Sequence, residues 1–369
     1  MRGGERCLEV LCELYPAADI YTLVYREGTV VERIAEHRII TSFVQRLPGS
    51  AARHQYYLPL FPLAIGQFDL RGYDLIVSLS HCVAKGIRVP EGIPHVSYVF
   101  TPMRYIWDQY DAYFAPGRAG WLVRTAMSAL RGPLQRWDVT SNSGVSRMIA
   151  ISEHVARRIK RHWGRDAQVV YPPVDWGRFA ASKADDGYYL VVGALVPYKR
   201  VDLAIDAVNA TKTRLVVIGT GDEEGRLRER AGPSVEFLGW QPDEVVREHY
   251  ARCRALIFPG EEDFGIVPLE AMASGKPVIA LAKGGALETM IPLNHDLVHA
   301  SASTWEAGSP TGVYFYEATV EALAGAIHAF ERHRAAFDPL AIRQHVERFD
   351  RSHFKSALHA VIDEHYQRS

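Results

Sequence analysis

Cysteine is scarce in this chain, and its spacing argues against two kinds of site. The four cysteines are Cys7, Cys12, Cys82 and Cys253, and no two of them form a C-x-x-C pair. The pattern favours a reducing compartment over a disulfide framework and predicts no zinc site. Long apolar runs are missing as well, because no stretch reaches the roughly 18–20 residues that span a bilayer. No signal peptide is visible, so we expect a cytoplasmic protein.

Excess charge is also missing, and this argues against a dedicated nucleic-acid binder. The chain has 42 Lys and Arg against 43 Asp and Glu, a formal net charge of −1 at pH 7. Its 369 residues, 48% of them hydrophobic, are enough for two domains with real cores. Basic residues do cluster in residues 118–166, interleaved with apolar side chains such as Trp121 and Leu122. Such a surface suits an anionic inner-membrane face, and a solvated helix face over core aromatics is the alternative.

Strand-like and helix-like segments alternate along the chain. Short apolar runs predict buried strands at residues 74–79, 95–100, 188–193 and 214–219. Helical spacing of apolar residues predicts a helix over residues 148–163. This alternation is typical of an α/β protein with parallel sheets.

The polar segment SKADDG, residues 182–187, predicts a linker between two domains. We therefore expect a first domain over residues 1–183 and a second over residues 184–349. The last helix is expected at about residues 350–369.

The most informative stretch is residues 255–290, which alternates strand, loop and helix twice. Its first loop, residues 260–265, carries three acids and two glycines and leads to Pro268 in a helix start. A helix N-terminus presents N–H groups and partial positive charge, which favours a phosphate. Glu262 and Glu270 would then accept sugar hydroxyls, since a carboxylate can accept two at once. Two solvated acids at a helix start are the alternative.

Further candidates follow other predicted strands. Lys199 and Arg200 lie at a strand-to-helix turn and suit a diphosphate, whereas surface cations at a helix start are disfavoured by the helix dipole. Gly219 ends the predicted strand at residues 214–219 and Gly221 follows it, and both would allow close approach of a ligand. His81 follows the strand at residues 74–79 and would contact either the transferred sugar or the acceptor, or simply cap the strand end.

The two glutamates stand in a longer motif. Glu262 and Glu270, with seven residues between them in EDFGIVPLE, are followed by GKPVIA and by Gly284, Gly285 and Glu288. This succession resembles the E-x7-E motif of retaining glycosyltransferases of the GT-B fold, glycosyltransferase family 4 (group 1). The TPMRYIWD segment at residues 101–108 resembles a signature of the mannosyltransferase-like branch that builds bacterial surface polysaccharides, lipopolysaccharide included.

The resemblance implies a fold and an activity. The fold is α/β, with two Rossmann-like domains facing a cleft and a C-terminal helix that crosses back to the first domain. The activity is transfer of a hexose, mannose from GDP-mannose, to a lipid-linked or polysaccharide acceptor, with no cofactor and no metal.

The resemblance also implies roles for residues. Glu262, Lys199 and His81 would be catalytic, with Glu262 on the donor sugar and Lys199 on the diphosphate. The remaining donor contacts would come from Glu270, Arg200, Phe264, Gly265, Ile266, Val267, Gly219, Gly221, Gly3 and Gly4, and acceptor contacts from Arg104, Tyr105 and Trp107.

Three features depart from the family pattern. Phe100 stands where many relatives have a histidine, and Ala194 where many have an arginine. Gly3 and Gly4 resemble a segment that follows a first apolar strand in the family, and no such strand precedes them here. We expect a mis-assigned start; a truncated chain or a sheet with a central gap are the alternatives.

Two rival functions stay open at this stage. The departures from the family pattern motivate a non-catalytic sugar-nucleotide-binding protein. A glycoside hydrolase would use Glu262 and Glu270 as acid and nucleophile, although it needs no diphosphate-binding Lys199.

Overall fold

The computed structural model describes residues 3–50, 54–115, 120–293 and 309–368. It divides the chain into two compact units, one of Met1–Pro173 with Arg351–Ser369 and one of Val174–Asp350. This division lies earlier than the expected boundary after residue 183. The reason is that the SKADDG segment bonds to the second unit, where the Ser182 N–H donates to the Ser274 carbonyl at 3.1 Å.

The first unit contains two separate parallel sheets. One has four strands in the order β3–β4–β5–β6, and the other pairs β1 with β2. No strand of the described residues pairs with both sheets. The central strand β4 is buried along its whole length, as its apolar sequence HVSYV predicts. The strands are β1 Ile20–Thr22, β2 Ile39–Thr41, β3 Ile76–Ser80, β4 His95–Val99, β5 Arg147–Ala150 and β6 Gln168–Val169.

One helix prediction for this unit is partly wrong. Residues 148–163 do not form one helix, because the buried MIA of this segment completes strand β5. Ser152 then caps a helix, its Oγ accepting the Val155 N–H at 3.0 Å. The helices of the unit before the chain leaves it are α1 Gly3–Leu14, α2 Glu32–Ala35, α3 Phe61–Ile65, α4 Tyr110–Phe114, α5 Trp121–Thr140 and α6 Glu153–Trp163.

The second unit is one six-stranded parallel sheet with helices between its strands. The strand order is β12–β11–β10–β7–β8–β9. The strands are β7 Tyr188–Val192, β8 Arg214–Ile218, β9 Val235–Gly239, β10 Ala255–Phe258, β11 Val278–Leu281 and β12 Gly312–Phe315. The helices are α7 Val201–Thr211, α8 Glu224–Arg230, α9 Asp243–Arg252, α10 Ile266–Ala273, α11 Ala286–Thr289, α12 Val320–Arg332 and α13 Pro339–Val346.

The final helix, α14 Arg351–Arg368, returns to the first unit and packs beside α1. Arg351 bonds Glu13 at 2.7 Å, and Lys355 bonds the same carboxylate at 3.1 Å. Just before α14, Asp350 forms a parallel bridge with Val174, so the first and last residues of the second unit lie side by side. The crossing-back helix expected from the sequence is confirmed.

Helices with the length and hydropathy needed to cross a bilayer do not occur among the described residues.

Candidate active site

The candidate site lies where the second sheet changes direction. Strands β7 and β10 pair in parallel, with Tyr189 beside Ala255. Strands β8 and β9 lie on one side of β7, and strands β11 and β12 lie on the opposite side, beyond β10. Loops therefore diverge at the carboxyl ends of β7 and β10, which is the usual place for a ligand in an open α/β sheet. A small pocket opens there, with Lys199 and Glu262 in its lining.

Lys199 and Glu262 form an ion pair in this pocket. Lys199 ends a 3₁₀ turn, Pro197–Lys199, in the loop after β7, and Glu262 lies in the loop after β10. The Lys199 ammonium contacts the Glu262 carboxylate, and the two side chains are only 16% and 18% exposed. Opposite charges this well shielded from water interact more strongly than a surface pair. The two residues that the sequence singled out for the diphosphate and the donor sugar are therefore brought together.

Two glycines let the loops come this close. A Cβ on Gly260 would lie 2.6 Å from the Tyr198 carbonyl oxygen and 2.8 Å from the Lys199 Cα. Gly193 has φ 147°, and the Lys199 side chain runs over it, with Nζ 3.4 Å from where a Cβ would stand. Only glycine fits at both positions. The sequence analysis assigned neither residue a role: it placed Gly193 at the end of a predicted strand and Gly260 at the start of the acidic loop.

The Gly284–Gly285 turn braces the Glu262 loop from the other side. The Gly285 N–H donates to the Glu262 carbonyl at 2.8 Å. A Cβ on Gly284 would stand 2.2 Å from that same oxygen. This part of the family motif therefore fixes the backbone that carries the catalytic candidate.

Glu270 lies in α10 and is oriented by a tyrosine that the sequence analysis missed. The Tyr250 hydroxyl, from α9, donates to Glu270 Oε2 at 3.1 Å. Tyr250 is only 1% exposed, so its hydroxyl is fixed by packing. No sequence signal pointed to it, because it precedes Glu270 by twenty residues and reads as one apolar position of a helix.

The residues expected to offer backbone N–H groups lie at the start of α10. Gly265 has φ 92° and turns the chain into the helix, which begins at Ile266 and continues through Val267. The first N–H groups of a helix have no acceptor within the helix. The Phe264 side chain is buried, 5.7 Å from the ring of Phe349, and anchors the turn from below.

Gly219 and Gly221 have a steric role in the structure. A Cβ on Gly219 would stand 1.8 Å from the Gly193 carbonyl oxygen, and one on Gly221 would stand 2.3 Å from the Leu195 carbonyl oxygen. The loop after β8 thus packs backbone to backbone on the loop after β7. Their contact with a donor stays a prediction.

Arg200 is the one candidate cation that points elsewhere. Its backbone is left-handed, with φ 51°, and it joins the 3₁₀ turn to α7. Its guanidinium pairs with Asp202 at 3.1 Å rather than with the carboxylate that Lys199 contacts. The donor role of Arg200 stays a prediction.

The remaining candidates belong to the first unit. His81 is exposed in the bend after β3. Gly3 and Gly4 form the first turn of α1, where a Cβ on Gly4 would stand 3.4 Å from the Phe100 ring. The donor role expected for these glycines, like the role of His81, stays a prediction.

Residues 101–108, expected to meet the acceptor, form a loop whose two ends are held by one arginine. Arg158 of α6 donates to Thr101 Oγ1 at 2.6 Å and to Asp108 Oδ2 at 2.7 Å. His162 also bonds Asp108, at 3.0 Å. These two partners hold the pKa of the Asp108 carboxyl well below its usual range, the hydrogen bond from His162 being the larger cause.

The three acceptor candidates in this loop differ in their contacts. Tyr105 bonds Cys82 Sγ at 3.0 Å, which ties the loop after β4 to the loop after β3. The Trp107 indole N–H donates to Asp138 Oδ2 at 2.8 Å, and its ring stacks on His162. Arg104 is half-buried. The Tyr105 and Trp107 side chains are therefore engaged in positioning the loop itself.

Asp138 is the centre of a buried polar cluster beneath this loop. It forms an ion pair with Lys85 at 3.1 Å, and neither side chain is exposed. Asp138 Oδ2 also accepts the Trp163 indole N–H at 2.8 Å. Burial lowers the pKa of the Lys85 ammonium, and the charge of Asp138 opposes that change. The cluster joins α5, α6 and the loops after β3 and β4.

Clusters of three or more His, Cys, Asp or Glu side chains able to hold a metal ion do not occur among the described residues.

Comparison with known proteins finds a family model that matches the part of the chain carrying this site. The model for "Glycosyl transferases group 1" matches residues 176–337. An uncharacterized glycosyltransferase of Methanocaldococcus jannaschii is 31% identical over 157 residues, which cover 41% of this chain and 44% of that protein. A GDP-mannose-dependent alpha-mannosyltransferase of Mycolicibacterium smegmatis is 28% identical over 264 residues, 69% of each chain. An O-antigen chain mannosyltransferase of Salmonella typhimurium is 26% identical over 207 residues, 52% of this chain and 55% of that one. The chain thus spans only about half the length of several curated relatives that it matches.

Solved structures agree on the fold. A sucrose-phosphate synthase from Thermosynechococcus elongatus matches with a TM-score of 0.73 at 18% identity, over 98% of this chain and 92% of that chain. An Anabaena protein solved in complex with UDP matches with a TM-score of 0.68 at 18% identity, over 98% and 96% of the two chains. The resemblance read from the E-x7-E motif is confirmed: residues 176–337 match the group 1 glycosyltransferase model, in a chain whose α/β units of parallel sheets and helices have the GT-B fold.

Proposed function

We propose that this chain is a retaining glycosyltransferase that moves a hexose from a sugar nucleotide to a lipid-linked or polysaccharide acceptor. The donor is GDP-mannose, and the product belongs to a bacterial cell-surface glycan. The enzyme works in the cytoplasm, at the inner membrane.

The observation that carries the proposal is the pairing of Lys199 with Glu262 at the change of direction in the second sheet. An enzyme that releases a nucleoside diphosphate must stabilise negative charge that grows on the leaving group. Lys199 and the first N–H groups of α10 supply that stabilisation. When the donor binds, Lys199 exchanges Glu262 for the diphosphate, and Glu262 accepts hydroxyls of the donor sugar.

Glu270 binds the nucleotide part of the donor. Its Oε2 is held by Tyr250 at 3.1 Å, so the carboxylate is oriented before the donor arrives. A carboxylate is well suited to the two hydroxyls of a ribose. Because none of these residues stands as a conventional nucleophile, we propose same-face attack, with the acceptor hydroxyl deprotonated by the departing phosphate.

The GDP-mannose assignment is supported by the name of the Mycolicibacterium relative, and the surface-glycan assignment by that of the Salmonella relative. It also agrees with the TPMRYIWD segment. No metal is required in this proposal, since Lys199 supplies the positive charge. We therefore expect transfer to continue in excess EDTA.

The decisive experiment offers GDP-mannose, UDP-glucose and a dTDP-hexose, each radiolabelled, to the protein with lipid-linked acceptors extracted from bacterial membranes. We expect label from GDP-mannose in the lipid phase, with an α-linked product by NMR. Label in water as free mannose would favour hydrolysis, and a β-linked product would contradict retention.

A second candidate is a non-catalytic protein that binds sugar nucleotides. It is favoured by Phe100, whose ring packs against Gly4 and edge-on to Tyr98 at 5.4 Å. An apolar ring thus fills the position where relatives carry a histidine. Binding of GDP-mannose by calorimetry, with no single-turnover product from any acceptor pool, would support this candidate over the enzyme.

A further inference from the structure

Helix α5 has an unusual outward face. Only Met127, Leu134 and Asp138 of its twenty residues are buried. At its N-terminus Trp121 is 71% exposed and Leu122 is 65% exposed. A solvated surface helix normally carries charged and polar residues on its outer face. The first turn of α5 is therefore apolar where a solvated helix is polar, which makes it a candidate docking surface.

The charged side chains of α5 that reach the surface are all basic. Its one acid, Asp138, is buried against Lys85, whereas Arg136 is exposed and Arg124 and Arg131 are half-buried. The neighbouring helix α6 adds exposed basic residues. These are Arg157, Lys160 and Arg161.

We propose that the exposed N-terminal turn of α5, formed by Trp121, Leu122 and Val123, docks on the surface of an anionic lipid bilayer, with the exposed Arg136 farther along the helix as a further contact. Trp and Leu would enter the boundary between head groups and acyl chains, and the arginines would meet lipid phosphates. A protein partner is less well matched, because an interface core is depleted of charge and needs complementary acids at its rim. The inference deepens the proposed function, whose lipid-linked acceptor it would bring within reach.

The anchoring of α5 supports this geometry. Its inner face is fixed by Asp138, which bonds Trp107 and Trp163 at 2.8 Å each. The Arg131 guanidinium lies 4.3 Å from the Tyr110 ring centroid. These contacts fix the second half of α5 to the first unit. The apolar side chains at its N-terminus are already exposed, so docking needs no unfolding of the helix.

The test measures co-sedimentation of the whole protein with vesicles, in the absence of donor and acceptor. Vesicles of phosphatidylcholine with about one-third phosphatidylglycerol should bind the protein, and pure phosphatidylcholine should not. Binding should weaken when salt is raised from about 0.1 M to about 1 M, as the screening length falls from about 10 Å to about 3 Å. Equal binding to neutral vesicles, or none to anionic ones, would overturn the proposal.

Matched variants locate the surface. Leu122→Ser should lower the vesicle partition coefficient about three- to tenfold, whereas Leu340→Ser should leave it unchanged. The two leucines are 65% and 66% exposed, so the pair differs in place and not in exposure. Arg136→Gln should weaken binding about fivefold, and the exposed Arg332→Gln should not. Equal losses in the matched variants would mean that the bound face lies elsewhere.

Tryptophan fluorescence measures whether the N-terminus of α5 inserts into the bilayer. Brominated lipids should quench part of the tryptophan emission, and in Trp121→Phe that quenched part should vanish while sedimentation persists. A concentration-dependent dimer that Leu122→Ser dissociates, with no vesicle binding, would show that the face joins two copies of the chain and would overturn the proposal. Binding without any glycosyl transfer would overturn only the proposed function.

Discussion

Lys199 is the single side chain on which the proposed reaction depends most. Replacing it with alanine removes the positive charge that would meet the leaving diphosphate and leaves Glu262 without its ion-pair partner. Loss of one charge-stabilising group of this kind typically costs about 10²–10³-fold in kcat. We expect that loss for Lys199→Ala with GDP-mannose in a steady-state assay. The exposed Lys183→Ala is the control, and normal turnover in the Lys199 variant would refute the diphosphate role.

Tyr250 should act through Glu270. Tyr250→Phe removes the hydrogen bond to Glu270 Oε2 but keeps the ring packed. The carboxylate then loses its fixed orientation, which affects ground state and transition state alike, so KM for the donor should rise about three- to tenfold with kcat nearly unchanged.

Tyr188→Phe is the matched control for Tyr250. The Tyr188 hydroxyl bonds His249, the residue next to Tyr250 in α9, at 3.0 Å. A fall in kcat alone for Tyr250→Phe, or equal effects in the two variants, would argue against a positioning role.

At the scale of elements, the loops after β7 and β8 are held together by glycine. Gly219→Ala would place a Cβ 1.8 Å from the Gly193 carbonyl oxygen, on a residue whose φ is 142°. Neither the loop nor the sheet beneath it can shift by that much, so we expect a loss of more than about 3 kcal/mol in the free energy of unfolding. Urea denaturation would measure it.

Gly225→Ala provides the opposite case. Gly225 lies inside α8, and a Cβ there would meet nothing within 4 Å. The substitution should stabilise the protein by about 0.5–1 kcal/mol, because alanine favours a helix. A destabilised Gly225→Ala, or a neutral Gly219→Ala, would contradict the steric account.

The Lys85–Asp138 pair joins α5 to the loops after β3 and β4. Asp138→Asn keeps the shape but leaves the buried ammonium without its counter-charge, and we expect a cost of about 3–5 kcal/mol. Lys85→Met with Asp138→Asn removes both charges and should recover much of it. A double-mutant cycle by thermal unfolding measures the coupling, and additive losses would show that the two charges act independently.

Local patterns predicted some of these elements and not others. The sheet of the second unit follows from short apolar runs, and Glu262, Glu270 and Lys199 follow from their place after those runs. Gly219 and Gly221 look the same in sequence whether a ligand or a neighbouring loop lies over them. Tyr250 and the Lys85–Asp138 pair depend on contacts between distant segments, which no local pattern encodes. Helix α5 received no bounds from the sequence, where this region showed only basic residues interleaved with apolar side chains.

For the molecule as a whole, buried histidines set the acid limit of stability. Burial lowers the pKa of His95 to about 4 from an ordinary value of 6.5, with Lys85 adding to the effect. His345 in the second unit is lowered to about 4 as well. Between the two values the unfolded chain binds more protons than the folded one, so stability is fully present above about pH 6.5 and is lost as pH falls towards 4.

We expect the urea midpoint to fall steadily across that range. At about 1.4 kcal/mol per pKa unit, His95 alone accounts for up to about 3 kcal/mol. His95→Gln, which cannot ionise there, should flatten part of the slope, whereas the exposed His328→Gln should not. An unchanged slope in His95→Gln would assign the acid sensitivity to other groups.

The parallel bridge between Val174 and Asp350 has a consequence for protein engineering. Because its two ends are neighbours, the segment 174–350 has the topology of a domain inserted into another domain. Such a domain can be removed or replaced without separating the chain ends that it joins. If the proposed donor site is correct, we expect that exchanging residues 174–350 alone between related chains would change the donor sugar and leave the first unit unaltered.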